Sequence, residues 1–251
     1  MDRLAQTALS AIRQMQDNKF DLAHNLANVN VPGFRRDLPN EGNAAFLQEL
    51  DKVSAKVLPL EVELRRFSNE AGPLNNTGVA TDVAILNEGF FFISPPSGEV
   101  ALSRRGDFAI NENSQLVNGA GDLVLSDALE PIVLPNFTDL SITDIGEILV
   151  QETGSAAGQY TSVGFIGSTS GEIDQLVKSL DGKIRKNDGT VPDPDQTAKF
   201  GQEFLEGSNV SAVEELIQNI DMQRHFEINV KLIKKASDLD SAGTKLMSLP
   251  N

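Results

Sequence analysis

Apolar positions follow two different rhythms along the chain. From residue 3 to 28, Leu4, Ala8, Ala11, Met15, Leu22, Leu26 and Val29 recur at heptad-like spacing, with Asn18 and Asn25 interrupting the seam. Ala5, Leu9, Ile12 and Ala23 widen the stripe. This pattern predicts a helix over 3–28, stopped by Pro32-Gly33. At the other end, Leu216, Ile220, Phe226, Val230, Ile233, Ala236, Leu239, Ala242 and Leu246 recur every three to six residues, with Gln223 and Arg224 interrupting. Ser211-Ala212-Val213-Glu214 fits a capping box, so a helix is predicted over 211–247. Such a helix is a rod of roughly 50 Å, longer than one compact domain needs.

Between these ends the rhythm shortens. Residues 37–60 are mixed, and Ala44–Val57 reads as a short helix stopped by Pro59. From about 72 to 200, β-prone runs alternate with turn residues. The runs are Val83–Leu86, Phe90–Ser94, Val100–Ser103, Phe108–Ile110, Gln115–Val117, Leu123–Leu125, Ile132–Leu134, Leu140–Ile142, Ile148–Gln151 and Thr161–Ile166. Residues 186–199 read as an exposed loop.

Together the rhythms predict an α+β fold: long N- and C-terminal helices packed as a coiled-coil-like pair, with a central all-β domain. The expected divisions are 1–35 for the first helix, 36–71 for a connecting segment, 72–200 for an outer all-β domain and 201–251 for the second helix. The helical stripes are wider than one partner helix covers, which points to assembly with other chains.

Composition narrows the chemistry. The 251 residues contain no Cys and no Trp, one Tyr and two His. Disulfides, thiolate metal sites and Cys nucleophiles are excluded. A net charge of -15 argues against a phosphate-backbone binder. Residues 1–36 are net +2 and residues 203–251 net -3, leaving -14 in 37–202. Near-neutral ends can pack closely while the middle repels its copies. No apolar run approaches the roughly 20 residues of a membrane span. Asp2, Arg3, Gln6 and Arg13 break any secretory h-region, so export is expected without a cleaved signal peptide.

Candidate catalytic groups are sparse. In an antiparallel helix hairpin, His24 and His225 lie roughly 15 Å apart along the axis, and both read as helix-surface residues. Carboxylate pairs are plentiful, but the scarcity of aromatic sugar platforms argues against a glycosidase. Asn118-Gly119-Ala120-Gly121 lacks the following helix of a dinucleotide site and reads as a hairpin turn. Arg105-Gly106-Asp107 spells an adhesion tripeptide, although Gly106 also suits a turn between strands. Asp193-Pro194-Asp195 lacks the spacing of a calcium loop. No catalytic residue, cofactor, metal, nucleic acid or small-molecule substrate is expected. Two other readings remain open: a secreted β-domain adhesin with oligomerising helices, sited at Arg105–Asp107, and an acidic hydrolase.

The most specific string is Asn25-Leu26-Ala27-Asn28-Val29-Asn30-Val31-Pro32-Gly33-Phe34. It reads as a helix end running into a turn, with Gly33 able to take a positive φ. It resembles the N-terminal signature of the flagellar rod and hook family, the axial proteins of the bacterial flagellum. Further resemblances lie in Met1-Asp2-Arg3, in Asp82-Val83-Ala84-Ile85 followed by Gly89-Phe90-Phe91, and in Ser103-Arg104-Arg105-Gly106-Asp107-Phe108. Leu205-Glu206-Gly207-Ser208-Asn209-Val210, leading to Gln223-Arg224-His225-Phe226-Glu227, resembles the C-terminal signature. Val31 and His225 depart from the family's usual residues. The opening tripeptide and the length favour the proximal-rod branch over the distal-rod branch.

The resemblance implies a non-enzymatic, helically assembling subunit of the periplasmic drive shaft, in the rod of the flagellar basal body. It implies that 1–35 and 201–251 form an inner tube and that the β-domain faces outward. The implied partners are other rod proteins, including the distal rod protein, further copies of itself and the flagellar type III export apparatus. The candidate assembly residues are Leu4, Ala8, Met15, Leu22, Asn25, Leu26, Asn28, Gly33, Phe34, Leu216, Ile220, Phe226, Val230, Ile233 and Leu239.

Overall fold

The computed structural model describes residues 2–39, 66–156, 158–171, 173–179 and 181–247, without the side chains of 2–11, 14, 232, 236, 239, 240 and 243–247. The predicted helix over Ala44–Val57 lies outside the described residues. The chain divides into two compact units. One comprises Met1–Ala27, Asp37–Glu63 and Ser211–Asn251; the other comprises Asn28–Arg36 and Leu64–Val210.

The first unit carries α1 (Asp2–Ala27) and α2 (Ala212–Met247). His24 lies in the last turn of α1, where a cation suits the helix dipole. Helix α2 starts at Ser211, whose carbonyl accepts the Glu215 N–H at 3.0 Å. The cap itself is long, with Glu214 N 3.5 Å from Ser211 Oγ. The two helices touch where Asn229 Nδ2 donates to Met15 Sδ at 3.3 Å.

The coiled-coil-like pair of long terminal helices does not hold. Helix α1 is short, with 26 residues, and the bulk of the described chain is a β-rich body of four separate sheets. On α2 the expected seam is open: Leu216, Ile220, Phe226 and Val230 are 42–50% exposed. The reason is angular. At 100° per residue, the six-residue step from Ile220 to Phe226 swings the apolar group roughly 120° around the helix. Recurrence every three to six residues therefore does not make one stripe.

The second unit is antiparallel throughout. Its largest sheet contains β3 (Phe90–Ser94), β4 (Ala101–Ser103), β5 (Phe108–Ile110), β6 (Leu116–Asn118), β7 (Leu123–Val124), β11 (Ser168–Thr169), β12 (Leu176–Lys178) and β13 (Ile184–Lys186). The order is β12-β13-β4-β3-β7-β6-β5, with β11 also on β3. A three-stranded sheet, β10-β9-β8, uses β8 (Phe137–Ile142), β9 (Glu147–Glu152) and β10 (Thr161–Phe165). Two ribbons pair β1 (Leu74–Asn76) with β15 (Phe204–Glu206) and β2 (Val83–Ile85) with β14 (Phe200–Gln202). The expected strand at Ile132–Leu134 is reduced to bridges, Gln115 to Val133 and Leu125 to Pro131.

The period-2 alternation of β3 divides the core. Phe91 joins Val83, Ile85, Phe108, Val150, Ile166 and Phe200 on one face, while Phe90 and Phe92 join Phe67, Leu102 and Ile184 on the other. Phe91 meets Phe108 edge-on at 5.2 Å, and Phe90 meets Phe67 at 6.1 Å. A strand buried on both faces reads as a continuous apolar run, as Phe90–Ile93 does.

Candidate functional site

The motif strings noted in the sequence meet at two places, one in each unit. In the first unit the end of α1 is tied to Asp37. The buried Asn25 side chain donates from Nδ2 to the Asp37 carbonyl at 2.9 Å and accepts the Asp37 N–H at Oδ1 at 2.8 Å. One amide thus satisfies both backbone groups of a residue twelve positions later. His24 Nδ1 lies 2.5 Å from Asp37 Oδ2. His24 was expected to be a plain helix-surface residue; this partner could not be read from helical spacing.

In the second unit, strings distant in sequence close on Glu206. Its carboxylate accepts Arg104 Nε at 2.7 Å and the Gly72 N–H at 2.9 Å, and pairs with Arg35 Nη2 at 3.0 Å. Arg35, Arg104 and Glu206 are all at most 4% exposed. Arg104 also donates to the carbonyls of Ile85, Asn87 and Gly89, and Arg35 to that of Glu70. Burial lowers the pKa of Arg104, opposed by the attraction of Glu206 and reinforced by the nearby charge of Arg35.

Gly33 lies on this cluster. Its N–H donates to the Glu206 carbonyl at 2.8 Å, its φ is +64°, and a Cβ there would overlap the Arg104 carbonyl. Only glycine meets both demands without strain. Asn209 fixes the neighbouring strand of chain: its Oδ1 accepts the Arg36 N–H at 2.6 Å and its Nδ2 donates to Glu70 O at 2.8 Å. Lys178 Nζ donates to Arg35 O at 2.7 Å and sits 3.8 Å from the Phe34 ring centroid.

The Arg105–Asp107 tripeptide is closed on itself. Arg105 Nε and Nη2 hold the two Asp107 oxygens at 2.7 and 2.8 Å, and Gly119 N–H adds a third bond to that carboxylate. Gly106 is buried, and a Cβ there would overlap the Val83 carbonyl. The turn is thus a structural element, and neither charged side chain is extended toward a receptor. No helix among the described residues is long and apolar enough to cross a membrane. Among the same residues, no group of three His, Asp or Glu could hold a metal ion.

The structure separates the expected assembly residues into groups. Asn25, Leu22 and Gly33 are buried, while Met15, Leu26, Asn28 and Phe34 are half-buried. Leu216, Ile220, Phe226 and Val230 are exposed and Ile233 is half-buried. Leu4, Ala8 and Leu239 lie in the helices, and their side chains are outside the described set.

Two family profiles match the chain. Residues 84–154 match the flagellar hook protein FlgE/F/G D1 domain, and residues 202–246 match the flagellar basal body rod FlgEFG protein C-terminal region. The basal-body rod protein FlgG of Borreliella burgdorferi is 30% identical over 259 residues, covering 95% of this chain and 96% of the relative. The chain belongs to the flagellar basal-body rod protein family. It is a structural subunit of the rod. Other rod proteins are similarly close. FlgF of Escherichia coli is 27% identical, covering 99% of this chain and 100% of its own. FlgG of Buchnera aphidicola from Acyrthosiphon pisum is 29% identical, covering 94% and 95%.

Arg35, Arg104, Glu206, Asn209 and Lys178 were missed as site residues. Four of them stand in or beside the strings that carried the rod-family resemblance. Their signal was charge or amide embedded in apolar, Gly-rich turns, but nothing local names the partner of a charge 102 residues away.

Proposed function

We propose that the chain is a proximal-rod subunit, assembling helically into the shaft that carries torque across the periplasm. The observation that carries this reading is the convergence of Gly33, Arg35, Arg104 and Glu206 on one buried cluster. A subunit under torque needs its chain entry and exit locked together, and that cluster locks residues 33–36 to 206–209. FlgF matches at 27% identity over 99% of this chain and FlgG at 29–30% over 94–95%, so the choice of the proximal branch rests on the opening Met1-Asp2-Arg3 and the length.

In this reading 1–35 and 201–251 line the inner tube, 36–71 connects and 72–200 faces outward. The exposed apolar side chains of α2 meet neighbouring subunits. Those neighbours are copies of this chain and other rod proteins, the distal rod protein among them. The subunit performs no catalysis. The type III apparatus exports it.

Deletion of the gene should abolish swimming, and a tagged copy should restore it and co-purify with hook–basal bodies. Restored swimming with no protein in purified basal bodies would overturn the reading. Replacing the gene with that of a distal rod protein separates the two branches: a proximal subunit is not replaced.

A further inference from the structure

We propose that the basic face of α2 docks on the acidic β8–β9–β10 sheet of a second copy, a head-to-tail contact that rests on the reading of the chain as a self-assembling axial subunit. Lys231 stands one turn before the adjacent Lys234 and Lys235, and all three are exposed. With Ile228 and Asp238 they line an open hollow of ≈ 380 Å³. Among the described residues none of the three ammonium groups makes an ion pair. Lys231 and Lys235, four residues apart, repel each other on the free helix. The helix dipole does not account for them, because they precede the last residue of α2, Met247, by three turns or more, and that effect fades within the last turn.

The complementary surface is on the other unit. Residues 106–177 contain eleven carboxylates and no Lys, Arg or His. The β8–β9–β10 sheet lies within that span. Asp139, Asp144 and Glu152 are exposed, and Glu147 is half-buried. Asp144 and Ile145 form the tip of the turn between β8 and β9, closed by Gly146 N–H to Thr143 O at 3.0 Å. Phe200 N–H and Ile166 N–H anchor that turn through its carbonyls at 2.9 Å each. Ile145 is 54% exposed there, an apolar knob beside an acid; Ile228, 52% exposed, is its counterpart beside the lysines. A pre-anchored knob loses little freedom on docking.

Charge also sets the symmetry. Two acidic sheets repel, so a self-complementary dimer through them is disfavoured, while on α2 Glu227 and Asp238 flank the three lysines. Unlike faces attract, and a heterologous contact that does not close propagates as a filament. The span from 106 to 177 therefore selects against one mode of self-association and for the other.

The test uses the full-length chain in sedimentation experiments. Wild-type protein should associate in a concentration-dependent way at about 0.05 M salt and at least tenfold more weakly at about 0.5 M, where the screening length falls below about 5 Å. Lys231→Glu/Lys234→Glu/Lys235→Glu should be monomeric, as should Asp144→Lys/Glu147→Lys/Glu152→Lys. An equimolar mixture of the two should associate again, because each supplies the other's missing sign. Circular dichroism and melting establish that both variants are folded. Zero-length carbodiimide coupling of mixed light- and heavy-isotope wild-type chains should join Lys231, Lys234 or Lys235 to Asp144, Glu147 or Glu152 between chains. A monomeric wild type at low salt, an unaffected lysine variant, a mixture of folded variants that stays monomeric, or inter-chain links that avoid these residues each overturns the proposal. Rod completion in cells reports on the function reading separately: normal association in vitro without rod incorporation sinks that reading and leaves the docking intact.

Discussion

The cluster around Glu206 and the surface of α2 treat charge in opposite ways. At Glu206 two guanidinium groups and one carboxylate are removed from water, and backbone carbonyls take up most of the remaining donors. On α2 three ammonium groups and several large apolar side chains stay in solvent. The first arrangement closes within one chain, with only Arg35 Nε of the three ionised groups buried without a hydrogen-bond partner among the described residues. The second is costly to leave uncovered in a finished assembly, since apolar area removed from water is worth roughly 25 cal/mol per Å². Family motifs run through both regions, so a motif by itself does not distinguish a residue that builds the subunit from one that joins subunits.

The sharpest way to break this comparison is Glu206→Ala. It leaves Arg35 and Arg104 buried without their counter-charge, and loss of about 3–5 kcal/mol is expected. Urea unfolding of the full chain measures it; a loss below 1 kcal/mol would show that the cluster is solvated. Gly33→Val follows, combining a left-handed φ with overlap on the Arg104 carbonyl. A loss above about 2 kcal/mol is expected, with Gly33→Ala only slightly milder because the first carbon already clashes. A normal melting temperature for Gly33→Val would remove the close approach from the account.

Asn25→Ala should cost about 1–3 kcal/mol, since both backbone groups of buried Asp37 lose a partner. Hydrogen exchange at the Asp37 amide should accelerate, and unchanged protection would mean water replaces the side chain. Val230→Asp and Ile220→Asp sharpen the other side of the comparison. Each should change subunit stability by no more than about 0.5 kcal/mol and yet abolish swimming. Swimming cells would remove this face of α2 from the assembly contacts, and an unfolded subunit would reassign it to the core.

The smallest effect concerns Asp195. Partial burial pushes its carboxyl up, but hydrogen bonds from Ser170 and Thr197 outweigh this and hold it below the ordinary Asp range. A depressed folded pKa gives stability that is full above the unfolded value near about 3.9 and is lost as pH falls through the folded value. Ser170→Ala should move the Asp195 titration, followed by carboxyl NMR, up toward the ordinary range and make acid unfolding begin at slightly higher pH. An unmoved titration would leave the Ser170 N–H and the Thr197 bonds as the cause.

Much of the strand framework was readable locally. The runs at 83–86, 90–94 and 161–166 each appear as strands shortened by at most one residue, because alternation and turn residues act over four to eight positions. Six strands escaped, among them β1 and β15, whose residues Leu74-Asn75-Asn76 and Phe204-Leu205-Glu206 carry no β pattern of their own. They are strands because they pair with each other from opposite ends of the unit. The helices were found, but the coiled-coil-like pairing was not there to find.

By itself the sequence determined the positions of the helices, the alternating β-runs, the acidic middle and the family strings, all of which depend on neighbours within about ten residues. The tertiary structure alone decided that Arg104 is buried against Glu206 while adjacent Arg105 turns back on Asp107, and that Asn25 binds Asp37. It alone decided which apolar faces close. The physical reason is that a buried charge or amide is defined by a partner across space, and chain spacing carries no record of that distance. Helix faces fail in the same way, since a stripe tells which residues are apolar and not which of them another surface reaches.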